Sequence, residues 1–257
     1  MGLQEEFDKI KQNISKEVEE AVDNNPAEQI LIEQQEREDR WLKKREGKLT
    51  SSKNDDLMKK GRGKYMPWGD TAIKVLLDAY HEKRTGVGRH KVYAKAMEWG
   101  KSYEAEAINY YAKKYGVEVK NCSTDFDEIV FVDDVIEGYG DSPDAYVGDD
   151  IVLEFKCPYN GSVHLKNCVI SVIDDTCDYY WQLIGHMIPD NVKEVHFCSY
   201  DPRMDEDDPW KLHVVVMKKE DYIQDVNILI DRIKAGVAAI ESDDIMNILN
   251  INSYESN

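Results

Sequence analysis

The chain has 257 residues, enough to bury a sizeable core in one domain, and carries 51 Asp and Glu against 33 Lys and Arg for a formal charge of -18. So acidic a balance excludes a nucleic-acid contact spread over the whole surface and requires any positive charge that meets phosphate to be held locally. The cysteines Cys122, Cys157, Cys168, Cys177 and Cys198 are odd in number, form no CxxC pair and follow no signal peptide or long apolar run. That pattern fits reduced thiols in a cytoplasm and argues against a disulfide framework, an iron–sulfur cluster or a membrane anchor.

Leu3, Phe7, Ile10, Ile14, Val18 and Val22 recur at three- and four-residue intervals, which predicts an amphipathic helix over residues 1–23. Asn25 is a cap residue and Pro26 suits the first helical position, so a second, highly charged helix is expected from there through Trp41 and Lys44. Residues 1–40 read as a helical extension that serves as an oligomer contact, a partner-binding arm or a cover for its own core. Glycine, serine, lysine and asparagine dominate residues 47–63, which predicts a loop with a short turn.

Two helices are expected next, one with Trp68, Ala72, Val75, Leu76, Ala79 and Tyr80 as its apolar stripe, the other running from Tyr93 to a stop at Gly116. The pattern then changes to short β-branched or aromatic runs at 117–119, 129–132, 145–147 and 151–155, separated by Asp, Gly or Pro, which read as strands of one sheet. A helix over 177–188, strands over 194–200 and 212–217, and a helix over 219–240 complete a mixed α/β (α+β) domain spanning residues 41–241, with 242–257 as a polar C-terminal tail.

Asp144 stands ten residues ahead of Glu154, with a turn at Gly148-Asp149-Asp150 between them, so an acid at one strand start faces Glu154-Phe155-Lys156 on the next strand of a hairpin. Strand alternation puts Glu154 and Lys156 on one face and turns Phe155 the other way, into the core. Paired acids and a lysine converging on one face suit a divalent cation, for which carboxylate and carbonyl oxygens are the natural donors. Asp144 and Glu154, with the Phe155 carbonyl, would hold Mg²⁺, with Mn²⁺ able to substitute, and Lys156 would orient water or stabilise developing charge during phosphodiester hydrolysis.

Ser142-Pro143-Asp144 followed by Leu153-Glu154-Phe155-Lys156-Cys157-Pro158-Tyr159 resembles the central signature of the lambda exonuclease, YqaJ-like viral recombinase family of PD-(D/E)XK nucleases. Ala96 to Glu104 resembles the family's AxxWGKxYE helix, Tyr179-Tyr180-Trp181-Gln182 its YxxQ helix, and Tyr200 to Met204 its YDPRM segment. Trp41 to Arg45, followed by Gly47 and Leu49 to Ser52, is similar to its W-x3-R-x-G-x2-T-x-S segment. The motifs keep their order from about Trp41 to Ile240.

The resemblance implies a PD-(D/E)XK restriction-endonuclease-like core with a mixed central sheet flanked by helices. It implies Glu104 and Gln182 beside Asp144, Glu154 and Lys156 in the active site, and Arg45, Ser52 and Ser142 around a 5′-terminal phosphate. The implied activity is 5′-to-3′ digestion of one strand of linear double-stranded DNA in phage recombination, by a homotrimer that passes the remaining strand to an annealing protein in the bacterial host cytoplasm. Two departures stand out: Ala145 replaces the usual glycine after SPD, and Ser162 occupies the place of a phosphate-gripping arginine, for which Lys166 or His164 could substitute. A non-catalytic protein binding DNA ends or a recombination partner, and an endonuclease or 3′-directed nuclease on the same core, remain as alternatives. Lys43, Lys44, Lys48, Lys53, Lys59, Lys60, Arg62 and Lys64 join Arg45 as the expected positive lining, which predicts salt-sensitive DNA binding.

Overall fold

The computed structural model describes residues 26–61, 67–88 and 95–249. The helix expected over residues 1–23, the Asn25 cap and the basic residues Arg62 and Lys64 lie outside the described residues. The chain divides between Leu42 and Lys43 into two units. Helix α1 (Pro26–Arg45) ends in a basic turn of Lys43, Lys44 and Arg45, of which all three belong to the second unit.

The second unit is built on five strands, β2 (Lys120–Asn121), β4 (Ala145–Val147), β5 (Ile151–Lys156), β6 (Glu194–Tyr200) and β7 (Leu212–Lys218), hydrogen-bonded in the order β2-β4-β5-β6-β7. Only β5 and β6 run parallel; the other neighbours are antiparallel. β4 and β5 form the expected hairpin, with Ala145 opposite Leu153 and Gly148 in the left-handed region (φ 61°) at the turn. The parallel step from β5 to β6 needs a crossover, supplied by two short helices, α5 (Gly161–Cys168) and α6 (Tyr180–His186).

Each face of the sheet has its own core. Val152, Val195, Phe197, Val215 and Met217 pack towards α3 (Asp70–Thr85), α6 and α7 (Ile223–Glu241). On the opposite face Leu153, Phe155, Cys198 and Leu212 meet Ala107, Ile108 and Tyr111 of α4 (Lys95–Tyr115). Phe155 is turned away from Glu154 and packs edge-on against Tyr111, as strand alternation requires.

Several expectations are corrected. Residues 47–63 are not simply a loop: β1 (Leu49–Thr50) pairs in parallel with β3 (Tyr139–Gly140), and α2 (Asn54–Leu57) follows a 3₁₀ turn at Ser51–Lys53. Leu49 and Leu57 are both buried, seated beside Gly236 of α7. The strand expected at 117–119 forms instead at Lys120–Asn121, and 129–132 contributes only a bridge from Val132 to Asp141. The C-terminal segment is not a tail throughout, because α8 (Ile245–Ile248) buries Ile245 and Leu249. Helix 219–240 starts later, after a 3₁₀ turn, at Ile223. All five cysteines are free thiols. Among the described residues no helix is long and apolar enough to cross a membrane.

Candidate active site

β5 delivers Glu154 and Lys156 to the face covered by α6, and the strand ends where Pro158 removes the next ladder donor. Glu154 is buried to 2% exposure, and its carboxylate accepts from Lys156, Gln182 and His186. Lys156 Nζ donates to its Oε1 at 2.5 Å and Gln182 Nε2 donates to the same atom at 2.6 Å. Lys156 also donates to Gln182 Oε1 at 3.2 Å, and its ammonium lies 4.9 Å from the centre of the Tyr179 ring. Asp144 Oδ2 accepts the Phe155 backbone N–H at 2.7 Å, tying the two strands of the hairpin at the site itself.

Glu104, from α4, lines with Lys101, Lys156, Tyr159, Asn160 and Tyr179 a cleft of about 520 Å³ that opens off this cluster. Burial, then repulsion from Glu154, pushes the Glu104 carboxyl up to about 7. Burial and the charges of Glu154 and Glu104 raise Asp144 as well, well above the carboxylate range. Glu154 goes the other way: burial disfavours its charge, but Lys156 and His186 outweigh burial and hold it down to about 2. Lys156 is likewise desolvated, yet Glu154 and Asp144 raise it above the ordinary lysine value, so it stays an ammonium.

Three neighbouring carboxylates, of which Glu104 and Asp144 are raised by burial and by the charge of Glu154, are an electrostatic setting that a divalent cation relieves. Among the described residues no group of three or more His, Cys, Asp and Glu forms a ready-made cage. Asp144 and Glu154 offer the hard carboxylate oxygens that Mg²⁺ and Mn²⁺ take, two protein ligands that would leave water to complete the shell.

The second predicted group is also brought together. Arg45 Nη1 donates to Ser142 Oγ at 2.7 Å and Nη2 to Ser52 Oγ at 3.4 Å, although 97 residues separate Arg45 from Ser142. Phe131 lies under the guanidinium, 5.7 Å from Cζ to the ring centre, and under Lys48 at 5.3 Å. Gly140 makes room for that ring, since a Cβ there would sit 2.1 Å from it. Of the other expected basic residues, Lys43 is paired with Glu46 and Lys48 with Asp133.

At the departure from the arginine clamp, Ser162 is exposed and helps cap α5 by donating its N–H to Asn160 Oδ1 at 3.0 Å. His164 cannot substitute: it is fully buried, with Ser199 Oγ and the Trp210 carbonyl on its two ring nitrogens. Arg203 lies close by but is engaged with Asp201 and with the carbonyls of Pro158 and Tyr159.

Sequence reasoning missed the residues that support α6. Asp55 accepts the Trp181 and Gln182 N–H groups at 3.1 and 3.2 Å, capping α6 from a distant segment. Asn54 donates to the Trp181 carbonyl and to Tyr139 Oη. His186 bridges Asp141 Oδ2 at 2.8 Å and Glu154 Oε2 at 3.0 Å. Burial opposes charge on this imidazole, but Asp141 and Glu154 prevail and lift it to about 10. Only the spacing of Gln182 and His186, four residues apart and hence on one helix face, was available in the sequence to find it.

A mixed sheet that presents an acid from one hairpin strand and a Glu-x-Lys pair from the next, covered by a helix bearing glutamine, is a PD-(D/E)XK core. Residues 40–188 match the YqaJ-like viral recombinase domain, more than half of the chain, and the chain belongs to that family. No curated protein matches it. Among solved structures, the alkaline exonuclease LHK-Exo of Laribacter hongkongensis superposes with a TM-score of 0.65 at 21% identity, over 85% of this chain and 98% of that one. Its complex with dAMP gives the same values. A phage-related exonuclease of Haemophilus somnus 129PT reaches a TM-score of 0.56 at 16% identity, over 81% of this chain and 96% of that one. At these identities the likeness establishes a shared fold.

Proposed function

We propose that this chain is a metal-dependent DNA exonuclease that digests one strand of linear duplex DNA from its 5′ end, generating single-stranded overhangs for phage-type recombination in the host cytoplasm. The observation that carries the reading is the pairing of two sites: the Asp144–Glu154–Lys156–Gln182 cluster and the Arg45–Ser142–Ser52 group. Ser142 and Asp144 are two residues apart, roughly 7 Å of extended chain. A terminal phosphate held by Arg45 therefore brings a phosphodiester close to the carboxylates. The names of the structural relatives, exonucleases in each case, agree with this reading.

The ion, when bound, supplies a polarised phosphate and an acidified water. Asp144 and Glu154 would hold it. Lys156 is fixed by Glu154 and Gln182 as an ammonium, which cannot accept a proton, so its part is to orient water and offset negative charge developing on the phosphate. Tyr179 screens one side of that ammonium from solvent. The bidentate guanidinium of Arg45, already aimed by two hydroxyls, suits a terminal phosphate better than a bridging one.

The test is release of nucleotides from linear duplex labelled at one end, with Mg²⁺, with Mn²⁺ and with EDTA, comparing wild type with Lys156→Ala. Metal-dependent release from the 5′ end that disappears in Lys156→Ala is the expected result. Release from the 3′ end or internal cuts would assign the same core to a 3′-directed nuclease or an endonuclease. DNA binding without any release in either metal would assign a binding protein. The proposed assembly is a homotrimer that hands its product strand to a single-strand annealing protein; a monomer at micromolar concentration in light scattering would overturn the trimer.

A further inference from the structure

Glu154, read above as a metal ligand, is held by a residue outside the motifs that carry the family resemblance. Its carboxylate offers about four lone-pair positions, two on each oxygen. Lys156 Nζ and Gln182 Nε2 fill both positions on Oε1, at 2.5 and 2.6 Å. Among the described residues Oε2 receives one partner, His186 Nε2 at 3.0 Å, and so keeps one position for a cation. The imidazole has no freedom to drift: it is fully buried, and Asp141 Oδ2 takes its other nitrogen at 2.8 Å. Asp141 is fixed in turn, because its N–H and carbonyl both pair with Val132, at 2.8 and 2.9 Å. Without His186 the Glu154 carboxylate could turn about its terminal bond and exchange its two oxygens. We propose that His186, backed by Asp141, is the positioning residue that keeps the open lone pair of Glu154 Oε2 directed at the catalytic cation. A carboxylate–imidazole–carboxylate chain of this kind supports a metal ligand from behind, as outer-shell partners commonly do.

The inference rests on the reading of Asp144 and Glu154 as metal ligands, and its test separates the two. Mn²⁺ is titrated into the full chain without DNA, by calorimetry and by the loss of the free Mn²⁺ electron-spin-resonance signal, so that no turnover enters the readout. His186→Leu, close in volume and without a donor, is expected to bind Mn²⁺ about 10–100-fold more weakly than wild type. His186→Gln, whose amide still donates towards Oε2, is expected to recover most of that loss, which a role in filling space alone would not produce. Asp141→Asn, which keeps the volume and loosens the imidazole, is expected to fall between wild type and His186→Leu, and it carries the test if His186→Leu does not fold. Wild-type affinity in either His186→Leu or Asp141→Asn overturns the proposal, as does a His186→Gln no better than His186→Leu. A wild-type chain whose Mn²⁺ binding is absent, or unaffected by Glu154→Gln, overturns the metal-site reading itself and the positioning role with it.

Discussion

Replacing Arg45 tests whether the pocket it forms reads the DNA end. Its two terminal nitrogens are aimed by Ser142 and Ser52, so an incoming phosphate meets a pre-oriented fork and not a mobile side chain. A hydrogen bond to a charged group contributes about 1.5–3 kcal/mol, and each 1.4 kcal/mol is a factor of ten, so loss of one such bond in Arg45→Ala lowers kcat/KM on 5′-phosphorylated duplex by about 10- to 150-fold. On 5′-hydroxyl duplex that bond does not exist, and the variant should match wild type within about twofold. Arg45→Lys keeps the charge but not the fork and is expected to recover part of the loss. The assay is steady-state release from matched duplexes that differ only in the terminal phosphate, with thermal unfolding of each variant as a control. An equal loss on both ends would refute the reasoning, since it would make Arg45 a packing residue over Phe131 and not a phosphate ligand.

Gly185 lies where α6 crosses Asn54 and Tyr139, and a Cβ there would come within 2.5 Å of Asn54 Nδ2 and 2.7 Å of Tyr139 Oη. Both partners are buried and bonded to each other, so neither can yield, and overpacking costs about 1–3 kcal/mol. Gly185→Ala should therefore melt at a lower temperature in calorimetry and lose activity as Gln182 and His186 shift, despite the helix propensity of alanine. Burial raises the Asp55 carboxyl to about 6, above its two backbone donors' opposing pull. The folded state then holds this proton more tightly than the unfolded chain, so the contribution of Asp55 to stability is full below its unfolded value and lost as pH rises through about 6. Urea titrations at pH 4 and pH 7 should show wild type losing stability relative to Asp55→Asn on going to the higher pH; a constant difference would show that Asp55 does not titrate across this window.

How much of this was legible in the sequence varies with the range of the interactions. β6 is read with its bounds because Val195, Phe197 and Tyr200 give Glu194 to Tyr200 a strand character, and β7 extends only one residue further than its pattern suggests. The Glu154–Lys156 pair follows from alternation alone. Residues 47–57 were unreadable for a physical reason. Leu49 and Leu57 are single apolar residues among Ser, Lys and Asn, with no period, and they are buried with residues of α3 and of α7, the latter far along the chain. β1 and β3 have two residues each and exist only because they meet one another. Helix α5, shortly after Pro158, has 8 residues, about two turns, below the length at which periodicity speaks.

The site itself divides in the same way. The motifs imply Asp144, Glu154, Lys156, Glu104 and Gln182 as one group and Arg45, Ser52 and Ser142 as a second; hydrogen bonds join Glu154, Lys156 and Gln182 in the first and Arg45, Ser52 and Ser142 in the second. What the motifs lack is the set of supports that fixes one short helix. α6 has seven residues, too few to hold itself in water, and carries both Gln182 and His186. Its N-terminus is capped by Asp55, its Trp181 carbonyl is gripped by Asn54, and its closest approach is permitted by Gly185. Asn54 and Asp55 come from the segment that reads as a loop, the same segment that carries Ser52. The phosphate-binding group and the carboxylate cluster thus share one scaffold, and a change at Asn54 or Asp55 should disturb both, while a change at Arg45 disturbs only the first.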